Sequence, residues 1–347
     1  MSAASGRTRR ALPRRVLRVA AGLANPAKRS IYVDALRREL QLRAPWTAHR
    51  EACVVCGRKS AVVQSVTSLH PGPKRPPKTF NFRVCAKCGH VANPENVHDY
   101  SKFPELEALP MRARIGTHDR KGREFHMATM ALDILGRSSD VSVLIYGAGR
   151  SFDNHHIAAL PQVSEVAVAD IMQLRDDAPF YHCGEPAPRQ FSIVVASEVV
   201  EHFLSPLDDF ANLFSFVEDD GLLVCGTNLH GGGDLANRRY IFLPGHTQYY
   251  TERGLELIAA RHGFLADVRT PLVATGYGGA TKRYILFSRS PSVIAATRDY
   301  FSTRKYAPSE GPWANKKLKA TIAKERAEDK QRKVAAKARA RSESTGH

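Results

Sequence analysis

Residues 143–154 read VLIYGAGRSFDN, an apolar run that stops at two glycines, Gly147 and Gly149, with only Ala148 between them. The length and β-branched content of the run predict a buried strand. Glycines at its end let the backbone turn tightly, and they leave so little side chain that a ligand can lie almost on the main chain. The next residues, SFDNHHIAAL, can open a helix. A strand handed to a helix through a bare turn is the first half of an α/β unit.

The flanking segments repeat that alternation. Residues 165–169 (EVAVA) form a second run ending at Asp170, residues 179–183 a weaker third, and residues 191–196 (FSIVVA) a fourth. Residues 207–217 read as an amphipathic helix, with Ser205 as its cap and Pro206 in its first position. A fifth strand is expected at 221–225 (GLLVC), and a helix at 252–262 stopped by Gly263. Strands at 264–268 and 284–288 follow, separated by a glycine-rich loop. Upstream, residues 120–135 predict a helix that packs on the sheet through Phe125, Met127, Met130, Leu132 and Leu135. The fold class is therefore α/β, a doubly wound, mainly parallel sheet covered on both faces.

Ligands of such sheets bind at the carboxyl ends of the strands, where strand order switches. Asp170 stands 21 residues past Gly149 at the tip of the second strand, where a carboxylate can accept both hydroxyls of a ribose. A dinucleotide fingerprint needs a third glycine where this chain has Phe152, and no GxxxxGK[ST] phosphate loop occurs. The turn and the carboxylate thus point to a nucleoside-bearing cofactor without pyrophosphate grip.

Four of the six cysteines form two pairs of the same spacing, Cys53-Val-Val-Cys56-Gly57 and Cys85-Ala-Lys-Cys88-Gly89, separated by 28 residues. Four thiolates on two tight knuckles can close a tetrahedron around Zn2+, and the glycines let backbone N–H groups reach sulfur. A full set of four leaves no position to activate water, so the metal is structural. Disulfides are the competing reading. The stretch between the pairs predicts a strand, a proline-rich excursion and a return strand. His70 and His90 are alternative ligands, and Cys183 and Cys225 read as incidental thiols.

The net charge of +17 sits at the ends. Residues 1–33 hold eight Lys/Arg and no acid, and residues 313–347 hold eleven against four, leaving a nearly neutral body. Such ends can meet the anionic face of a membrane or nucleic acid, or be solvated and partly disordered. No apolar stretch reaches the roughly 18 to 20 residues of a bilayer span, so the expected location is cytoplasmic, with peripheral membrane contact open through the basic ends.

These residues resemble class I S-adenosylmethionine (SAM) dependent methyltransferases, specifically bacterial glycan and natural-product members that begin with a zinc ribbon. VLIYGAGRS is similar to the family's first motif, VAVADI to its second and FSIVVASEVVEHFLSP to its fourth. GLLVCGTN and GHTQYYTERGLELIAARHGF resemble the fifth strand and the late helix, and CAKCGHVANPENVHDYS the second half of the ribbon. The resemblance implies a Rossmann-like methyltransferase fold and divides the chain into a basic arm (1–48), a zinc ribbon (49–100), a methyltransferase domain (101–300) and a basic tail (301–347). It implies that Gly147, Ala148, Gly149, Asp170, Ser197 and Glu198 bind the cofactor. Family members commonly carry an acid where Ile145 stands, to hold the methionine amino group.

Methyl transfer needs acceptor, methyl and sulfur in line, and a base only for a hydroxyl or weakly acidic carbon. His202 and His246 are the candidate bases, and Tyr250 a candidate acceptor wall. Glu201 is either a polar contact or a favourable charge at a helix start. The chain lacks the Asn/Asp-Pro-Pro-aromatic grip for a base amine and a cysteine after the fourth strand, and both point away from nucleic-acid bases. The leading acceptor is a sugar, glycan or related small metabolite. An RNA methyltransferase using ribbon and tails, and a non-catalytic scaffold of the same fold docking at a membrane or complex, are the alternatives.

Overall fold

The computed structural model describes residues 50–69, 77–98, 115–270 and 281–303. The basic arm, the tail beyond residue 303, the proline-rich excursion with His70, and the glycine-rich loop at 271–280 lie outside the described residues.

The first small sheet contains β1 (Glu51–Ala52), β2 (Lys59–Thr67), β3 (Thr79–Cys85) and β4 (Val91–Ala92). The strand and return strand expected between the cysteine pairs are β2 and β3, paired antiparallel from Ala61↔Cys85 to Thr67↔Thr79. Next come α1 (Arg123–Leu135), β5 (Val141–Tyr146), α2 (Asp153–Ala158), β6 (Val163–Asp170), β7 (Phe180–His182) and β8 (Phe191–Ser197). The chain continues through α3 (Pro206–Ser215), β9 (Val217–Asn228), β10 (Gln248–Tyr249), α4 (Glu252–Arg261), β11 (Leu265–Arg269), β12 (Lys282–Ser288) and α5 (Pro291–Thr303).

Seven strands form the main sheet in the order β11-β12-β9-β8-β5-β6-β7. β5 to β9 run parallel to one another, and β12 lies antiparallel between β9 and β11. Every residue of β5 and β8 is buried, as continuous apolar runs in a sheet covered on both faces require. One face packs against α1 and α5 through Met127, Met130, Ile294 and Tyr300. The other packs against α3 and α4 through Phe210, Phe214, Leu255 and Ile258, together with Val55 and Cys88 from the cysteine pairs. This is the mainly parallel, doubly wound α/β fold read from the sequence. Strand order reverses between β5 and β8, which places the ligand crevice at the carboxyl end of β5.

Local differences have local causes. Helix α1 begins at Arg123 rather than 120, because the buried Asp153 carboxylate accepts the N–H groups of Gly122 (2.7 Å) and Phe125 (3.0 Å). It buries the expected Phe125, Met127, Met130 and Leu132. Helix α3 starts at Pro206 as expected, but the Ser205 side chain does not cap it; the Ser205 N–H instead donates to Asp209 Oδ2 at 2.8 Å. β9 is longer than the fifth strand read from the sequence, since residues 217–221 enter the strand through a register shift opposite β8.

The small sheet has a fifth strand supplied from far along the chain. β10 pairs with β4, Gln248 opposite Ala92 and Tyr249 opposite Val91, giving the order β1-β2-β3-β4-β10. Thr251 Oγ1 donates to the Cys88 carbonyl at 2.5 Å, and Thr247 O accepts the Asn93 N–H at 2.7 Å. The cysteine knuckles are thereby fastened to the segment that carries His246.

Candidate active site

The turn after β5 has the geometry its sequence demands. Gly147 and Gly149 have φ of 70° and 53°, in the left-handed region that disfavours any residue with a Cβ. The two glycines do different things. A Cβ on Gly147 would stand 2.4 Å from Val199 Cγ2, so this glycine admits the turn that follows β8. A Cβ on Gly149 would meet nothing within 4 Å, so that stretch of backbone faces open space. Ala148 between them is buried.

Asp170, the last residue of β6, is drawn to that turn. Its Oδ2 accepts the Gly149 N–H at 2.9 Å and its Oδ1 accepts the Ile171 N–H at 2.7 Å. Burial raises its carboxyl above the ordinary aspartate value, opposed by those two hydrogen bonds. Each oxygen keeps a second lone pair that a hydroxyl can use. Gly149, Asp170, Met172 and Phe180 share the lining of a shallow cleft at this edge.

Ser197 and Glu198 end β8 beside Val199. Ser197 is buried and its Oγ has no hydrogen-bond partner among the described residues. Glu198 adopts φ 58°, a strained conformation for a residue with a side chain. Its Oε1 pairs with Lys282 Nζ, and Arg123 Nη1 stands 3.9 Å away. Neither Lys282 nor Arg123 was identifiable from a motif. Ile145 is fully buried on the α1 side of β5. Glu124 of α1 accepts from Ser151 Oγ at 3.0 Å and is pushed up to about 7 by burial.

His202 and His246 come together from segments 44 residues apart, with ring centroids separated by 4.8 Å and planes at 87°. His202 Nδ1 lies 2.9 Å from the Gly245 carbonyl and therefore donates to it. Burial lowers the His202 pKa from its ordinary value, with that hydrogen bond opposing. Glu201, close to both, is fully buried: Tyr240 donates to its Oε1 at 2.5 Å and Thr227 to its Oε2 at 3.0 Å. Tyr240 also packs edge-on against His246, 4.3 Å between centroids. Tyr250, expected in the acceptor wall, is instead 1% exposed, with its hydroxyl donating to Val200 O at 3.0 Å; its place is the core.

The cysteine cluster matches its expected chemistry. Cys53 and Cys88 sulfurs are 3.6 Å apart, Cys56 and Cys85 3.7 Å, and all four fall within 4.8 Å of one another. Sulfurs at roughly 2.3 Å from a tetrahedral ion stand roughly 3.8 Å apart, so the set fits Zn2+. Gly57 and Gly89 have φ of 70° and 73°, and each donates to the carbonyl of the first cysteine of its knuckle, Cys53 at 2.8 Å and Cys85 at 2.9 Å. All four are free thiols rather than disulfides. Val55 N–H points at Cys53 Sγ (3.4 Å) and Lys87 N–H at Cys85 Sγ (3.4 Å), the amide contacts expected of thiolate knuckles. His90 is buried and turned to Gln248 Oε1 at 2.9 Å.

Residues 130–266, less than half of the chain, match a family model described as a methyltransferase domain. No curated protein matches the chain. Among solved structures, the 1,6-didemethyltoxoflavin N1-methyltransferase of Burkholderia thailandensis, bound to 1,6-didemethyltoxoflavin and S-adenosylhomocysteine, is similar at 16% identity. That match covers 47% of this chain and 78% of that one, with a TM-score of 0.36. The plantazolicin methyltransferase BpumL, in complex with S-adenosylhomocysteine, matches at 13% identity over 47% and 80% (TM-score 0.35). The pyocyanin biosynthetic protein PhzM matches at 15% over 48% and 54% (TM-score 0.37). Likeness of this degree says nothing of substrate.

Proposed function

We propose that the methyltransferase domain this chain carries binds SAM at the carboxyl ends of β5, β6 and β8 and delivers its methyl group to a sugar, glycan or related small metabolite. One observation carries the reading: the open Gly149 backbone and the Asp170 carboxylate meet at the switch in strand order, as a ribose and the chain that continues from it require. The bound cofactor supplies an electrophilic methyl on a sulfonium, and alignment is what the protein adds.

Asp170 receives the ribose hydroxyls. Glu198, Arg123 and Lys282 present one anion and two cations beside the glycine turn, the complement of an amino-acid zwitterion, and take the place of the acid that Ile145 does not provide. His202 and His246 face the acceptor, and the Gly245 contact that fixes the His202 Nδ1 proton leaves its lone pair on Nε2. The four cysteines hold Zn2+ as a structural ion, because a complete thiolate set has no position for substrate. The nearly neutral body supports a small acceptor over a polyanion.

Methyl-labelled SAM, offered with a panel of nucleotide sugars, free glycans and total RNA, tests the acceptor class. Label is expected in the sugar or glycan fraction. Label confined to RNA, or to none of the three, contradicts the proposal.

A further inference from the structure

A second cluster of metal-ligating side chains lies apart from the cysteines. Glu201, His202 and His246 each bring one ligand atom within 4.8 Å of the others. We propose that these three side chains bind a divalent first-row transition-metal ion, and that an acceptor oxygen completes its coordination; only that last clause rests on the methyl-transfer reading.

The donor set is the first argument. Two imidazoles and one carboxylate suit first-row ions, and three protein ligands leave positions open for a substrate atom. Ligand atoms at roughly 2.1 Å from a common ion stand roughly 3 to 4 Å apart, a spacing within reach of atoms that lie no more than 4.8 Å from one another.

The outer bonds are the second. A ligating histidine ordinarily donates its other ring N–H to a carbonyl or carboxylate, which fixes the tautomer that presents a lone pair to the metal. His202 does this to Gly245 O at 2.9 Å. Tyr240 and Thr227 hold the two Glu201 oxygens, at 2.5 Å and 3.0 Å, and each oxygen retains a lone pair. The Thr247 N–H donates to Glu201 O at 2.9 Å, which locks the two ligand segments together. Asn96 Nδ2 pins the same loop by donating to Leu243 O (2.7 Å) and His246 O (3.2 Å).

Charge is the third. Glu201 is fully enclosed, with the hydroxyls of Tyr240 and Thr227 on its two side-chain oxygens. A buried carboxylate favours a cation beside it. His202 is the least buried of the three ligands and marks the side from which an ion and an acceptor enter.

Mn2+ is the probe, because it prefers nitrogen and oxygen donors to the four thiolates. Full-length protein with its cysteine site loaded with zinc is titrated with Mn2+, and the free ion is read by electron paramagnetic resonance. About one saturable Mn2+ per chain is expected, with affinity lowered tenfold or more in Glu201→Gln and His246→Asn, and by about ten- to a hundredfold in Tyr240→Phe, which removes an outer bond only. His202→Gln, at a half-buried position, is the variant least exposed to folding loss. Titration of each variant with S-adenosylhomocysteine reports the cofactor side separately, so loss of Mn2+ with cofactor binding retained assigns the defect to this trio. Wild-type protein with no saturable Mn2+, or His202→Gln with unchanged affinity, overturns the proposal and leaves the three as a hydrogen-bonded structural cluster.

Discussion

The Gly149 amide and the Asp170 carboxylate, 21 residues apart in the chain, meet across 2.9 Å at the edge of the central sheet. That contact joins a backbone whose Cβ position is empty to the tip of the neighbouring strand, and it sets what the two glycines of the turn should do when changed.

Gly147→Ala should act on stability. The new methyl would collide with Val199 and would sit at φ 70°, and a left-handed alanine alone costs about 1–2 kcal/mol. Gly149→Ala carries the same φ penalty without a clash, but places a methyl where the cofactor is expected. Thermal melts together with cofactor titrations separate the two: Gly147→Ala should lose more in melting temperature, and Gly149→Ala more in affinity relative to its stability loss.

Removing the proposed zinc ion should loosen residues far from the cysteines in sequence. Cys88 O accepts from Thr251, and β4 holds β10, so a disordered knuckle releases the strand next to His246. Structural zinc contributes directly to folding free energy. Hydrogen exchange after chelation should show faster exchange at Gln248 and Tyr249, while β5 and β8 keep their protection. Unchanged exchange at residues 248–249 would mean that the cysteine knuckles do not hold β10 in place.

Glu124 should make stability depend on pH in a set direction. Its carboxyl is raised from 4.5 to about 7 by burial, so its contribution is fully present below about 4.5 and is lost as pH rises through about 7. Glu124→Gln keeps an acceptor for Ser151 and has no proton to lose. The variant should melt higher than wild type at pH 8 by about 1 kcal/mol or more, roughly 2–4 °C for a domain of this size, and the gap should close toward pH 5.

Much of this arrangement is legible in the chain because its cause is local. Continuous apolar runs can only be strands buried on both faces, so β5 and β8 announce themselves, and paired Cys-x-x-Cys-Gly knuckles need their own glycines. Helix α5 has no clear sequence signal: only Val293, Ile294, Thr297 and Tyr300 of its 13 residues are buried, too sparse a face to stand out. The antiparallel place of β12 between β9 and β11 has no local signal, since its apolar run fits either direction. The site shows the same division. Asp170 and the glycines declare themselves by spacing, whereas Arg123, Lys282, Tyr240 and Thr227 gain their roles from partners between 13 and 84 residues away. The two-residue strand β10 likewise exists only because β4 is there to receive it.

Among the described residues no helix is long and apolar enough to cross a membrane. Membrane contact through the basic ends is therefore a question for the residues on either side of the fold, and vesicle flotation of the full chain against one lacking residues 1–48 and 304–347 answers it. Flotation of the full chain with anionic lipid, lost on truncation, supports such contact.

Calorimetric titration of S-adenosylhomocysteine into zinc-loaded wild-type protein and into Asp170→Ala is the most direct measurement. Saturable binding at one site in the wild type, weakened tenfold or more by the substitution while the melting temperature stays within a few degrees, is the predicted result. Equal affinity in the two proteins, or no binding to well-folded wild type, would contradict the account.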